Sequence, residues 1–183
     1  MTGSGMTGSG TGESGMTVGE VLADAFGRVR ERVSAVLDGL EERELAYRPD
    51  PAANTIAWLV WHLTRVQDDH VAAAAGVEQA WDTGGWRDRF ALPLESGDTG
   101  YGHTAQQVGA VHASVELLRD YHEAVCEQTL AYVTSLREAD LDRVVDTRWD
   151  PPVTLGVRLV SVIDDDLEHI GQAAYLRGLA EHH

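Results

Sequence analysis

Asp165 and His169 stand four residues apart in the segment LGVRLVSVIDDDLEHIGQAAYLRGL, residues 155–179. Leu155, Leu159, Val162, Ile163, Leu167, Ile170, Ala173 and Leu176 recur there at helical spacing. That spacing predicts an amphipathic helix of about six to seven turns. On a helix, residues i and i+4 lie one above the other, about 5–6 Å apart at Cβ. A carboxylate and an imidazole at that separation can reach one divalent cation. The pair shares its face with Val162, Gln172 and Leu176, so it points inward, where a carboxylate is costly unless paired or coordinated. His62 falls on the apolar side of an earlier predicted helix. Two His and one Asp, with coordination positions left over, describe a catalytic rather than a closed structural metal site. Zn²⁺ suits these ligands best, and Ni²⁺ and Fe²⁺ also accept them. The same spacing fits an Asp–His pair that is only hydrogen-bonded.

Other residues compete for these roles. Asp166, at i,i+3 to His169, is the best alternative carboxylate, while Asp164 and Glu168 read as a solvated acidic face. His122 can serve as a fourth ligand or as a core histidine bonded to a neighbour; the second is the commoner use. His70 and His112 fall off the inward faces. Cys126 reads as a small core group rather than a nucleophile. Between the second and third long helices, Trp81, Trp86, Arg87, Arg89 and Phe90 either form a lid with a cation for an acidic ligand or plug one end of the core. Trp86, Arg87 and Arg89 are thus candidate substrate contacts, with Trp58 beside His62 and His103 at the site mouth.

Four long helices must position these groups. Thr17-Val-Gly-Glu20 is a capping box that opens the first, expected to reach about Leu40 with Val21, Leu22, Ala25, Val29, Val33, Val36 and Leu37 inward. Pro49 and Pro51 forbid helix in the connector that follows. Asn54 caps the second, which runs to Gly76 with Thr55, Trp58, Leu59, His62, Val66 and Asp69 inward. Thr104-Ala-Gln-Gln107 opens the third, a continuous seam from Val108 to Leu136, and Asp150-Pro-Pro-Val-Thr154 stops the chain before the fourth. No strand pattern competes. The fold class is therefore all-α, a four-helix bundle over residues 16–181. The loop 77–102 is long enough to be functional and permits a crossover, so the order need not be simple up-down-up-down. Residues 1–15, with MTGSG twice, read as a disordered segment. His182 and His183 read as tag remnants or a frayed end.

Composition narrows the partners. The chain has 183 residues, enough for one domain, and a net charge of −16 with every basic residue an Arg. Such a surface repels nucleic acid and anionic membrane. No apolar run reaches the length of a membrane span and no secretory leader is visible. One cysteine allows no internal disulfide, which suits a reducing cytoplasm.

The stretch LDGLEERELAYRPDPAANTIAWLVWHLTRVQDDH, followed by DDDLEHIGQAAYLRGL, resembles the DinB-like superfamily over about residues 17–180. Its most specific pieces are Pro49 to His62 and the His169-to-Gln172 tetrad. The resemblance implies a metal triad that lands on His62, Asp165 and His169. Asp165 departs from the pattern, since relatives usually carry His or Glu there. The resemblance further implies a low-molecular-weight thiol, mycothiol or bacillithiol, attacking a small electrophile in S-transfer or isomerisation. It also implies a homodimer. An Arg-rich, Lys-free composition favours mycothiol. The residues alone also allow a metal-binding bundle with no turnover.

Overall fold

The structure, a computed structural model, describes residues 15–181. The segment expected to be disordered, apart from Gly15, lies outside the described residues, as do His182 and His183. Thr17 caps α1 (Val18–Leu37) through the capping box: its hydroxyl accepts from the Glu20 N–H, and Glu20 accepts from the Thr17 N–H at 2.7 Å. The helix stops before Leu40, where Gly39 turns the chain at φ +72°. Phe26 fills the inward stripe, while Val21 is half exposed, against the sequence expectation. A single turn, α2 (Glu42–Leu45), leads to α3 (Ile56–Ala75). Its cap is Thr55 rather than Asn54: the Thr55 hydroxyl accepts from the Trp58 N–H at 3.0 Å. Gly76 closes α3 in the left-handed conformation.

Two further turns, α4 (Ala80–Thr83) and α5 (Trp86–Phe90), break up the long loop. The third long helix is not continuous. It divides into α6 (Ala105–Ala110) and α7 (Val115–Val133), with Ser114 capping α7 by accepting from the Leu117 N–H. Val111 and Val115 keep helical spacing across the break, which hides it from a periodicity reading. After a 3₁₀ turn at Glu138–Asp142, β1 (Val144–Asp146) and β2 (Val153–Thr154) pair antiparallel, a small hairpin that the sequence reading did not anticipate. Then α8 (Leu155–Ala180) completes the bundle.

The helices pack as a ring in the order α1, α7, α3, α8, so α1 faces α3 across the core. Thr64 meets His122 and Ala74 meets Tyr132, so α3 and α7 are parallel. Arg30 pairs with Glu123 while Gly19 abuts Val133, so α1 and α7 are antiparallel. The order is up-down-down-up. Parallel neighbours need a connection that travels back along a 20-residue helix, about 30 Å. That requirement explains the length of the loop 77–102, and its return course carries it past the start of α3, where His62 sits. Two apolar clusters fill the ends of the bundle. Between them runs a buried polar layer of Thr64, Gln67, His122, Cys126, Thr129 and Asp166. No helix among the described residues is long and apolar enough to cross a membrane.

Candidate metal centre

α3 and α8 face each other antiparallel and bring His62, Asp165 and His169 together. One ligand atom from each lies within 4.8 Å of the others, the one such grouping among the described residues. The two imidazole rings are 4.7 Å apart and nearly perpendicular. Each ring is held through Nδ1. His62 Nδ1–H donates to the Thr99 carbonyl at 2.5 Å, and His169 Nδ1–H donates to the Asp165 carbonyl at 2.7 Å. A carbonyl can only accept, so both Nε2 atoms are left unprotonated and able to ligate. This is how metal-binding histidines are usually oriented. Burial pushes the His62 pKa down, opposed by the Thr99 bond and assisted by the His169 ring, which favours the neutral, ligating form. Asp165 Oδ2 is buried and has no hydrogen-bond partner. The orphan carboxylate oxygen lies 3.5 Å from His169 Nδ1, and one ligand atom from each of the three side chains falls within 4.8 Å of the others, a donor set that a divalent cation would satisfy, so the residues present fit such an ion.

The surroundings fix this geometry. Trp58 stacks on His62, centroids 4.5 Å apart and 13° between planes. The Trp58 indole N–H donates to His103 Nδ1 at 3.0 Å, so His103 Nε2 carries the proton it donates to Asp98 at 2.9 Å. Burial raises the Asp98 pKa, but bonds from His103 and the Gly100 N–H more than offset it and leave the carboxyl below its ordinary value. The turn Asp98–His103 thus holds Trp58 by a side chain and His62 by a main-chain carbonyl. Farther along the loop, buried Arg65 bonds Gln79, Tyr121 and the Asp98 carbonyl, and Asp68 accepts from the N–H groups of Ala80 and Trp81 and from Tyr121. This latch ties the returning loop to α3 and α7.

A family model described as mycothiol-S-transferase matches residues 21–181. The chain belongs to the mycothiol S-transferase family. A crystal structure of a conserved protein from Enterococcus faecalis is similar, with 34% identity and a TM-score of 0.84, over 92% of this chain and all of that one. No curated protein matches. Membership agrees with the DinB-like resemblance and with the all-α bundle. In this member of the mycothiol S-transferase family the three candidate ligands converge, and Trp58 and His103 lie beside them. His103 is 3% exposed in its side chain, so it orients the site rather than lining its mouth. Trp86, Arg87 and Arg89 make their contacts elsewhere. Trp86 packs on Tyr121, Arg89 lies over the Trp86 ring and pairs with Asp120, and Arg87 pairs with Asp88. Of the two loop roles left open, the aromatic groups plug the core: Trp81 and Phe90 also pack against Tyr121.

Asp166, the alternative carboxylate, does not join His62 and His169; it is fully buried in the polar layer, and burial pushes its pKa well up. His122 is a core histidine bonded to Thr64 and Cys126. His112 is exposed, whereas His70 is half-buried beside Arg158. Sequence reasoning missed Asp98, Thr99 and Gly100. The Asp98–Thr99–Gly100 turn signal was visible, but a main-chain oxygen leaves no mark on the sequence.

Proposed function

We propose that this chain is a metal-dependent S-transferase that joins a low-molecular-weight thiol of the mycothiol type to a small electrophile. The orphan Asp165 oxygen, on a carboxylate grouped within 4.8 Å with ligand atoms of His62 and His169, carries the reading. His62, Asp165 and His169 would hold the ion, Zn²⁺ by preference. When bound, such an ion supplies charge that favours a thiolate over a thiol near neutral pH. The protein's own groups do the rest. Thr99 and the Asp165 carbonyl keep both ring protons on Nδ1, and Trp58 fixes the His62 ring plane. Side chains 16% exposed at His169 and 31% exposed at Asp165 leave an approach for ligands from the α8 side.

The thiol must come from outside. Cys126 is buried, bonded to His122, and burial pushes its pKa up to about 12. Small-molecule turnover in the cytoplasm suits a chain of net charge −16, which disfavours nucleic acid. A homodimer would form through the outer face of α8, where Val157, Val160, Leu167 and Tyr175 are exposed. Light scattering at tens of micromolar tests it; a monomeric mass removes it.

The reaction is tested with mycothiol, bacillithiol, glutathione and coenzyme A against a generic electrophile, with and without chelator. Chelator-sensitive turnover with one thiol is expected. Metal-loaded protein that binds no thiol by calorimetry would leave a non-catalytic metal-binding bundle as the better account.

A further inference from the structure

A polar cleft, of about 200 Å³, opens on the same helix seam as the triad. Its walls are Asp69, His70, Ala73 and Ala74 of α3, Asp146 and Arg148 of the hairpin, and Arg158 of α8. On α3, His62, Val66, Asp69 and Ala73 follow one another by four, three and four residues and share one face. On α8, Arg158, Asp165 and His169 follow by seven and four and do the same. Because these helices are antiparallel neighbours, triad and cleft are two stations along one α3–α8 seam. Eight residues of helix separate His62 from His70, a rise of about 12 Å.

Charge balance decides what the cleft can hold. Asp146 accepts from Arg148 at 2.8 and 3.0 Å and from Arg158 at 3.0 Å. His70 Nε2 faces Arg158 at 3.5 Å, and its Nδ1 faces Asp69 at 3.4 Å. Burial, with help from Arg158, pushes the His70 pKa down and leaves the ring neutral. Two carboxylates, two guanidinium groups and a neutral imidazole sum to no net charge. An anion entering here meets Asp69 and Asp146, and a cation meets two arginines. A neutral hydroxyl is both donor and acceptor and can use either kind of neighbour. Ala73 and Ala74 keep the wall low, and Ala73 is exposed to the cleft.

We propose that this cleft is a subsite for a polyhydroxylated, sugar-like group, the end of the thiol cosubstrate remote from its sulfur. The inference rests on the S-transferase reading above. Mycothiol carries its cysteinyl sulfur on an amino sugar joined to a cyclitol. About nine bonds of ~1.5 Å, partly folded, place that polyol on the order of 10–12 Å from the sulfur, the spacing between the two stations.

Calorimetry on the metal-loaded full chain tests this with three probes: mycothiol, N-acetylcysteine, and the thiol-free amino-sugar–cyclitol. Mycothiol is expected to bind at least about tenfold more tightly than N-acetylcysteine. Ala73→Leu fills the cleft without touching an ion pair and should abolish that difference, leaving N-acetylcysteine unchanged. Arg148→Ala, at a mostly exposed side chain, should weaken mycothiol alone several-fold. Equal affinities for the two thiols, or wild-type mycothiol binding by both variants, overturn the subsite and leave the S-transferase reading standing. Binding of the thiol-free polyol, lost in Ala73→Leu while neither thiol binds, keeps the subsite and removes the S-transferase reading. If none of the three probes binds, both fall.

Discussion

Gly100 is the position where one methyl group should cost most. Its φ is +97°, and a Cβ built there would stand 2.7 Å from His62 Nδ1 and 3.2 Å from both Trp58 Cζ2 and Trp61 Cζ3. All three neighbours are ring atoms of buried side chains, so no flexible end can swing aside. Gly100→Ala therefore carries a backbone cost of about 1–2 kcal/mol for the left-handed region and about 1–3 kcal/mol for overpacking. Together these make about 2–5 kcal/mol, a large share of a typical domain's 5–15 kcal/mol. The loop has one escape, which is to withdraw. That breaks the bond from His62 to Thr99 and frees the imidazole, so metal affinity should fall about tenfold or more. Urea denaturation in chelator reads the first cost, and Zn²⁺ titration against a chromophoric chelator reads the second. Gly102→Ala is the control: φ is +74°, but nothing lies within 4 Å of its Cβ, so only the backbone cost of about 1–2 kcal/mol applies. If Gly100→Ala matches Gly102→Ala in stability and the wild type in affinity, the packing of this turn on His62 is misread.

Three further expectations follow from the same geometry. His62→Ala with His169→Ala should abolish stoichiometric metal by elemental analysis, and Asp165→Asn should weaken binding about tenfold while Asp166→Asn does little; the reverse ranking makes Asp166 the ligand. His122 is buried with its pKa pushed down to about 4 from an ordinary 6.5. The unfolded chain therefore takes the proton first, and stability is full above pH 6.5 and declines as pH falls towards 4, by about 3 kcal/mol in all. Denaturation midpoints across that range check it, and His122→Asn should remove this share of the slope; an unchanged slope refutes it. Asp68→Ala leaves Arg65 buried without its carboxylate and should cost about 3–5 kcal/mol. It should also open residues 77–102 to limited proteolysis, and wild-type protection would show that the latch does not hold the loop.

The helices were legible because burial imposes a period, and the grouping of three side chains was legible because Asp165 and His169 fall on the inward face of one helix and His62 on the inward face of another. Asp166 shows the limit. One residue from a candidate ligand is a rotation of about 100°, which carries it from the seam into the core. The i,i+3 spacing of Asp166 to His169 made it an alternative carboxylate, and only the packing of the bundle shows that it is enclosed. The break before α7 had a signal in Ser114, but the valines on either side kept the seam intact. The turn that orients His62 was not legible at all. Its parts lie 37 residues along the chain from His62, and the atom that does the orienting is a backbone oxygen. Arg65 and Asp68 carried no sequence signal for their roles either: both are buried under the returning loop and α7.

The triad divides between α3 and α8, with about 100 residues of chain between its first ligand and its second. During synthesis, His62 leaves the ribosome with its orienting turn soon after it, but its two partners come only with the last helix of the bundle. A chain interrupted anywhere before Asp165 has one imidazole and no site. The site is therefore an end-point check on folding: it exists only in molecules whose last helix has met α3, and a bound ion would hold that contact together.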